Sequence, residues 1–135
     1  MEIPLSSEIS IHHVSKGETM ELWEMIEKIK SHPNFGQVGM ILCHNGIVRG
    51  TSRDGHPVQG IDIMVDRSRL VLVLDEMKSH PGIVEILAEI KEGTLKVGED
   101  IMWIVVAGDT RDNVFPVLEV TVERIKKEVV KKTEF

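Results

Sequence analysis

Apolar residues fall in short blocks along this chain, and the spacing within each block predicts an element. Residues 9–14 read as a short first strand. Ser15-Lys16-Gly17-Glu18 has the spacing of a capping box, with Thr19 an equally good N-cap. The helix that follows sets Leu22, Trp23, Ile26 and Ile29 on one face. Pro33 ends it, because proline cannot donate the next helical bond and restricts the residue before it. Residues 38–42 are a continuous apolar run with the length and branching of a buried strand. Asn45-Gly46 favours a turn or bulge, after which Ile47-Val48 resumes the extended chain and delivers Arg49. Ile61, Ile63 and Val65 alternate with Gly60, Asp62 and Met64 as in a half-buried strand. The five aliphatics at 70–74 predict a strand buried on both faces. Ile83, Ile86, Leu87 and Ile90 predict a second helix that starts near Ser79 and Pro81 and is closed by Gly93. Residues 95–100 are a short connection into a strand at 101–107, apolar on both faces. A last helix over 113–132 carries Val114, Leu118, Val122, Ile125 and Val129. The order β-α-β-β-β-α-β-α, without repeat or linker, predicts one α+β domain over residues 1–135, with helices packed on a mixed β-sheet.

Composition narrows the function. The 135 residues are 41% hydrophobic and 28% charged with a net charge of −6, values of a soluble globular chain and a poor basis for non-specific nucleic-acid binding. The single cysteine, Cys43, excludes an internal disulfide and suits a reducing cytoplasm. No stretch reaches the roughly 20 apolar residues of a membrane span, and the N-terminus lacks the regions of a signal peptide.

Two buried strands end in glycine-containing loops that bear arginine. One holds Arg49 and Arg53, the other Thr110 and Arg111. The C-terminal end adds Arg124, Lys126, Lys127, Lys131 and Lys132. Gathered at one place in an acidic protein, these cations form a focused anion site; read singly, each is a surface cation. Helical spacing pairs Lys127 with Glu123 and Lys132 with Glu128. Lys126 instead falls between Val122 and Val130, at the edge of the apolar stripe, where desolvation favours the neutral amine needed of a base or nucleophile. The alternative is a lysine that lays its methylenes over the core while its amine reaches water. Cys43 reads as a packed core thiol. His12, His13, His44, His56 and His80 lack metal-site spacing, so no metal and no cofactor is expected. The glycines form no nucleotide-binding motif.

Gly46-Ile47-Val48-Arg49, a loop with Gly55, Pro81-Gly82-Ile83, Val97-Gly98-Glu99-Asp100-Ile101, Thr110-Arg111 and the lysine-rich end occur in an order that resembles the large, catalytic subunit of molybdopterin synthase. The resemblance covers about residues 9–134. It implies an α/β hammerhead fold, a cytoplasmic homodimer, and a small ubiquitin-like sulfur-carrier subunit whose C-terminal Gly-Gly tail enters the active site as a thiocarboxylate. The substrate it implies is a pterin phosphate, cyclic pyranopterin monophosphate, converted to molybdopterin by addition of two sulfurs. By the same resemblance Lys126 and Lys132 (or Lys131) are the two functional lysines and Arg49 and Arg111 bind substrate; Arg53 of the first loop, Thr110 and Lys131 are expected to bind it with them. Thr110 stands where the family has histidine, and residues 129–132 replace its Pro-x-Trp-Lys segment. Residues 66–80 are an insertion expected to hold an added strand. A homologous dimer that binds an anionic ligand or protein without catalysis is the alternative reading.

Overall fold

The computed structural model describes residues 19–135; the expected strand at 9–14, the capping residues 15–18, His12 and His13 lie outside them. In chain order the elements are α1 (Leu22–Lys30), a 3-10 turn (Phe35–Gln37), β1 (Met40–Ile47), β2 (Gly60–Val65), α2 (Arg67–Lys78), β3 (Ile83–Ile90), β4 (Gly93–Lys96), β5 (Asp100–Gly108), α3 (Arg111–Arg124), a π-helical turn (Ile125–Val129) and β6 (Val130–Glu134). Among the described residues the strands make two three-stranded sheets, β1-β5-β3 and β4-β2-β6. Every one of their ladders is antiparallel. The α+β class therefore holds, with two antiparallel sheets in place of one mixed sheet.

Three apolar runs take a different form from the one their spacing predicts. Residues 70–74 belong to helix α2. Leu70, Val73, Leu74 and Met77 are buried at helical spacing, while Leu72 is 49% exposed. The Asp66 carboxylate starts this helix by accepting the Arg69 N–H at 3.0 Å. So residues 67–78 form a helix where their spacing predicts an added strand. Residues 83–90 are strand β3, because the chain is buried on both faces there: Ile86, Ala88 and Ile90 face the main core and Leu87 faces the cluster under α1. A strand enclosed on both sides shows no alternation, and its helical spacing was coincidental. Gly82 turns the chain into β3 at φ +80°, where a Cβ would strike the Asn113 and Asp109 side chains. Gly93, at φ +99°, opens β4. The last helix ends at Arg124, and β-branched Val129 and Val130 lead into β6.

α1 also starts later than expected. Glu21 is its N-cap, with the backbone N–H donating to Glu24 Oε1 at 2.8 Å. Met25 and Ile29 are the fully buried positions, and Trp23 is 65% exposed. α1 packs on Leu87, Trp103, Val105 and Ala107. On the opposite face Ile104 and Val106 join Val114 and Val117 of α3 in the main core, which continues to Ile61 and Ile63 of the second sheet. Both faces of β5 are thus covered within one chain, and its apolar residues do not by themselves require a second copy.

The helical assignment of 70–74 separates two leucines. Leu70→Ala should lower unfolding free energy by about 2–5 kcal/mol, and Leu72→Ala by less than about 1 kcal/mol. Urea titrations of the two variants read the difference directly; equal losses would be the mark of a strand buried on both sides.

Candidate functional site

β1 and β5 run antiparallel from Met40↔Gly108 to Ile47↔Asp100, with a register break between Gly46 and Ile47. This break is the bulge that Asn45-Gly46 predicts. Just beyond it the Val48 N–H donates to Glu99 O at 2.9 Å, and the Gly98 N–H donates to Val48 O at 2.9 Å. Arg49 therefore leaves a backbone held on both sides. The following loop is a narrow hairpin, with a Thr51↔Pro57 bridge and Gly55 at φ +86°. Arg49 Nε donates to Thr51 O at 2.9 Å, which leaves the rest of the guanidinium free to bind.

The opposite wall comes from the second sheet. Ile61 and Ile63 are buried on β2, and across from them on β6 stand Glu134 and Lys132. Residues directly opposite in an antiparallel pair share a face, so Lys132 and Glu134 project with the two isoleucines. Lys131 is opposite Met64, on the other side of the sheet. Of the two lysines, Lys132 lines the cavity and Lys131 does not.

The third contribution is the π-helical turn. Ile125 and Val129 are buried within it, and between them Glu128 is gripped by two arginines. Arg69 Nη2 reaches Glu128 Oε1 at 2.7 Å, and Arg124 Nε reaches Glu128 Oε2 at 2.8 Å. These bonds, Arg124 first, hold the Glu128 carboxyl down at about 2. Arg124 also meets Glu76 at 2.8 Å, so the turn is tied to α2 and α3 together. Lys126 extends from this turn. It is exposed, not desolvated at the edge of a stripe. Nor do the expected helical pairs for Lys132 and Glu128 form, since Lys132 approaches Glu134 at 3.7 Å within β6.

Between the sheets lies a cavity of about 590 Å³, bordered by Arg49, Arg53, Lys126, Lys132, Glu134 and His44. Four cations meet one carboxylate there, in a chain whose net charge is −6. Among the described residues Arg49, Arg53 and Lys126 have no carboxylate partner within 4.0 Å. Unpaired cations converging between low-dielectric walls make an anion site.

Arg111 and Thr110 are elsewhere. They follow Gly108, which pairs with Met40 at the far end of β1 from Arg49. Eight residues of strand separate the two ends, roughly 23 Å, so Arg49 and Arg111 of one chain cannot share an anion. Asp109 organises that second loop by accepting from the Asn113 amide and the Thr110 N–H, which lower its carboxyl below the usual range. Cys43 is exposed on β1, an edge strand among the described residues, and is not packed in the core. Partial desolvation pushes its thiol up, away from reactivity. Among the described residues no group of histidine, cysteine or carboxylate side chains is arranged to hold a metal.

His44 lacks metal-site spacing in the sequence, yet it borders the cavity. Its signal was strand parity: it shares the inward face of β1 with Leu42 and Gly46. Burial first, then the positive charge of Lys126, pushes its imidazole below the ordinary value of 6.5.

A family model described as "MoaE protein" matches residues 16–128. A curated relative, a probable molybdopterin synthase of Haloferax volcanii, is 27% identical over 132 residues, covering 93% of this chain and 48% of that protein. The chain thus spans about half the length of this relative. Among solved structures, molybdopterin synthase from Staphylococcus aureus superposes with a TM-score of 0.66 at 20% identity, covering 87% of this chain and 86% of that one. A complex of subunits 1 and 2 of the molybdopterin-converting factor from Helicobacter pylori contains a chain that superposes at a TM-score of 0.64 with 18% identity, over 86% of this chain and 79% of that one. At these identities the likeness shows the fold.

The grip on Glu128 has a pH consequence. A carboxyl lowered from 4.5 to about 2 contributes stability in full above its unfolded value and loses it as pH falls through that window. The thermal midpoint should therefore drop between about pH 5 and pH 2, and in Glu128→Gln the drop should be shallower. Calorimetry across that range checks it; an identical slope in the variant would remove Glu128 from the acid response.

Proposed function

The chain belongs to the MoaE protein family, and from that membership we propose that it is the large subunit of a molybdopterin synthase, acting in molybdenum cofactor biosynthesis. The substrate of this reading is cyclic pyranopterin monophosphate. The sulfur arrives as the C-terminal thiocarboxylate of a small ubiquitin-like carrier subunit ending in Gly-Gly. The observation that carries the proposal is the convergence of Lys126, Lys132, Arg49 and Arg53 on one cavity, brought from three separate parts of the chain.

The chemistry suits that arrangement. Substrate phosphate and carrier thiocarboxylate are both anions, and bringing them together needs fixed positive charge. Arg49 and Arg53 on their braced hairpin hold oxygen anions. Lys126 and Lys132 serve the addition and elimination steps, as proton donors or as positive charge beside the thiocarboxylate. No cysteine nucleophile is required, since sulfur is delivered on the carrier, which accords with an exposed, unactivated Cys43. Arg111 and Thr110 reach such a cavity only from another subunit, so their proposed substrate role is tied to a homodimer. The Haloferax volcanii relative and the Helicobacter pylori complex support the reading through what those proteins are named as.

Mass spectrometry of product after incubation with thiocarboxylated carrier and pyranopterin monophosphate tests the activity. Lys126→Ala should reduce turnover by more than about 100-fold with carrier binding retained, whereas Lys127→Ala, exposed and off the cavity, should leave it unchanged. Arg49→Ala should weaken anion binding by about 1.5–3 kcal/mol, the range of a charge-assisted bond. Absence of turnover in the unmutated protein, with ligand binding intact, would favour a non-catalytic anion-binding dimer. Light scattering should give about twice the 15.2 kDa of one chain; a monomer mass would remove Arg111 and Thr110 from the site.

A further inference from the structure

His44 is the one ionisable residue on the inward face of β1, and it stands where two hollows meet. One is the cationic cavity. The other is a shallower groove along α3, bordered by Phe115, Leu118 and Val122. Its Nε2 is shielded from solvent and has no hydrogen-bond partner among the described residues. That edge of the ring faces Gly46, itself a residue of the cavity wall, where an added Cβ would lie 3.6 Å from Nε2. A polar nitrogen left unpartnered in this way is destabilising unless something else satisfies it.

The charges around the ring come from several directions. Lys126 of the π-helical turn acts on it directly. Arg49 and Arg53 of the hairpin, with Lys132 and Glu134 of β6, share the cavity wall with it. Glu119 and Glu123 of α3 border the groove behind it. β5 presents only Ile104 directly opposite and Met102 beside it. Burial and the charge of Lys126 favour the neutral ring despite the carboxylates nearby, and none of those carboxylates accepts from Nε2. An anion seated among those cations reverses both conditions, because it offsets the field of Lys126 and offers an acceptor to an Nε2–H.

We propose that His44 is a further anion ligand of this cavity, and that it takes up a proton as the anion binds. The inference rests on the anion-cavity reading given above and adds a regulated feature to it: affinity for a phosphate-type anion rises as pH falls through the histidine range. The linkage sign follows from proton uptake, since a complex that holds more protons than its separated parts is favoured by acid. Glutamine at position 44 can donate a hydrogen bond but cannot titrate.

Sulfate is the probe, because it stays a dianion across the range and any pH dependence belongs to the protein. Calorimetric titrations at about pH 8 and about pH 5.5 should show sulfate binding severalfold tighter at the lower pH, with about tenfold the upper limit for a one-unit change in the imidazole's affinity for its proton. His44→Gln should bind sulfate with that dependence lost, and Arg49→Ala should weaken binding at both values, which places the sulfate in the cavity. NMR titration of the His44 ring in the unmutated protein gives a second reading that needs no variant: its titration midpoint should move up under saturating sulfate. Binding that is flat with pH, a dependence retained in His44→Gln, or a ring midpoint unmoved by sulfate would overturn the proposal and leave the anion cavity standing. No sulfate binding at either pH would overturn the anion-cavity reading itself, and this inference with it.

Discussion

The bonds from Arg69 and Arg124 to the Glu128 carboxylate hold the candidate site together. Arg69 belongs to α2, Arg124 ends α3, and Glu128 sits in the π-helical turn, so one carboxylate fixes three segments at the point where helix gives way to strand. Buried Ile125 and Val129 seat the turn from beneath. With the turn held, Lys126 is aimed at the cavity and β6 starts in register with β2, which sets Lys132 opposite Ile63. A π-helical turn is an uncommon piece of backbone that often marks a functional position. Here it lets a helix and a strand deliver two lysines to the same hollow.

The cavity is an electrostatic exception within the molecule. Acidic residues outnumber basic ones over the whole chain, yet on this wall four cations face a single carboxylate. Glu76, Glu92 and Glu128 are taken up in ion pairs with Arg124, Arg67 and Arg69 away from the cavity. Among the described residues, Arg49, Arg53 and Lys126 of the cavity wall have no carboxylate partner within 4.0 Å. Low-dielectric walls from Ile61, Ile63 and Met102 strengthen what field remains.

Legibility differed from element to element for physical reasons. Strands β1, β2 and β5, the break at Gly46, and the delivery of Arg49 to a loop could be read because branched residues, alternation and an Asn-Gly pair are local signals. The runs at 70–74 and 83–90 exchanged identities. A helix whose middle turns carry five aliphatics in a row and a strand buried on both sides both read as unbroken aliphatic sequence. What decides between them is tertiary: Asp66 caps one run as a helix, and β5 pairs along the other as a strand. The helix expected through residue 132 failed for a related reason, since pairing of residues 130–134 with β2 outweighs local helical spacing.

By itself the sequence determined the α+β class, the acidic character, the lone cysteine, the arginine at the end of β1 and the order of motifs that carries the family resemblance. Each depends on composition or on neighbours a few residues apart. Only the tertiary structure decided which cations meet. It brought Arg49, Arg53, Lys126 and Lys132 together from segments distant in sequence, turned Lys131 to the other side of β6, and set Arg111 at the far end of the β1–β5 ladder. It also placed His44, unremarkable as a residue type, beside Lys126 with an unpartnered nitrogen. Charge is local to a residue, but an anion site is a distance between residues, and that distance is set by strand register and by the turn that Glu128 holds.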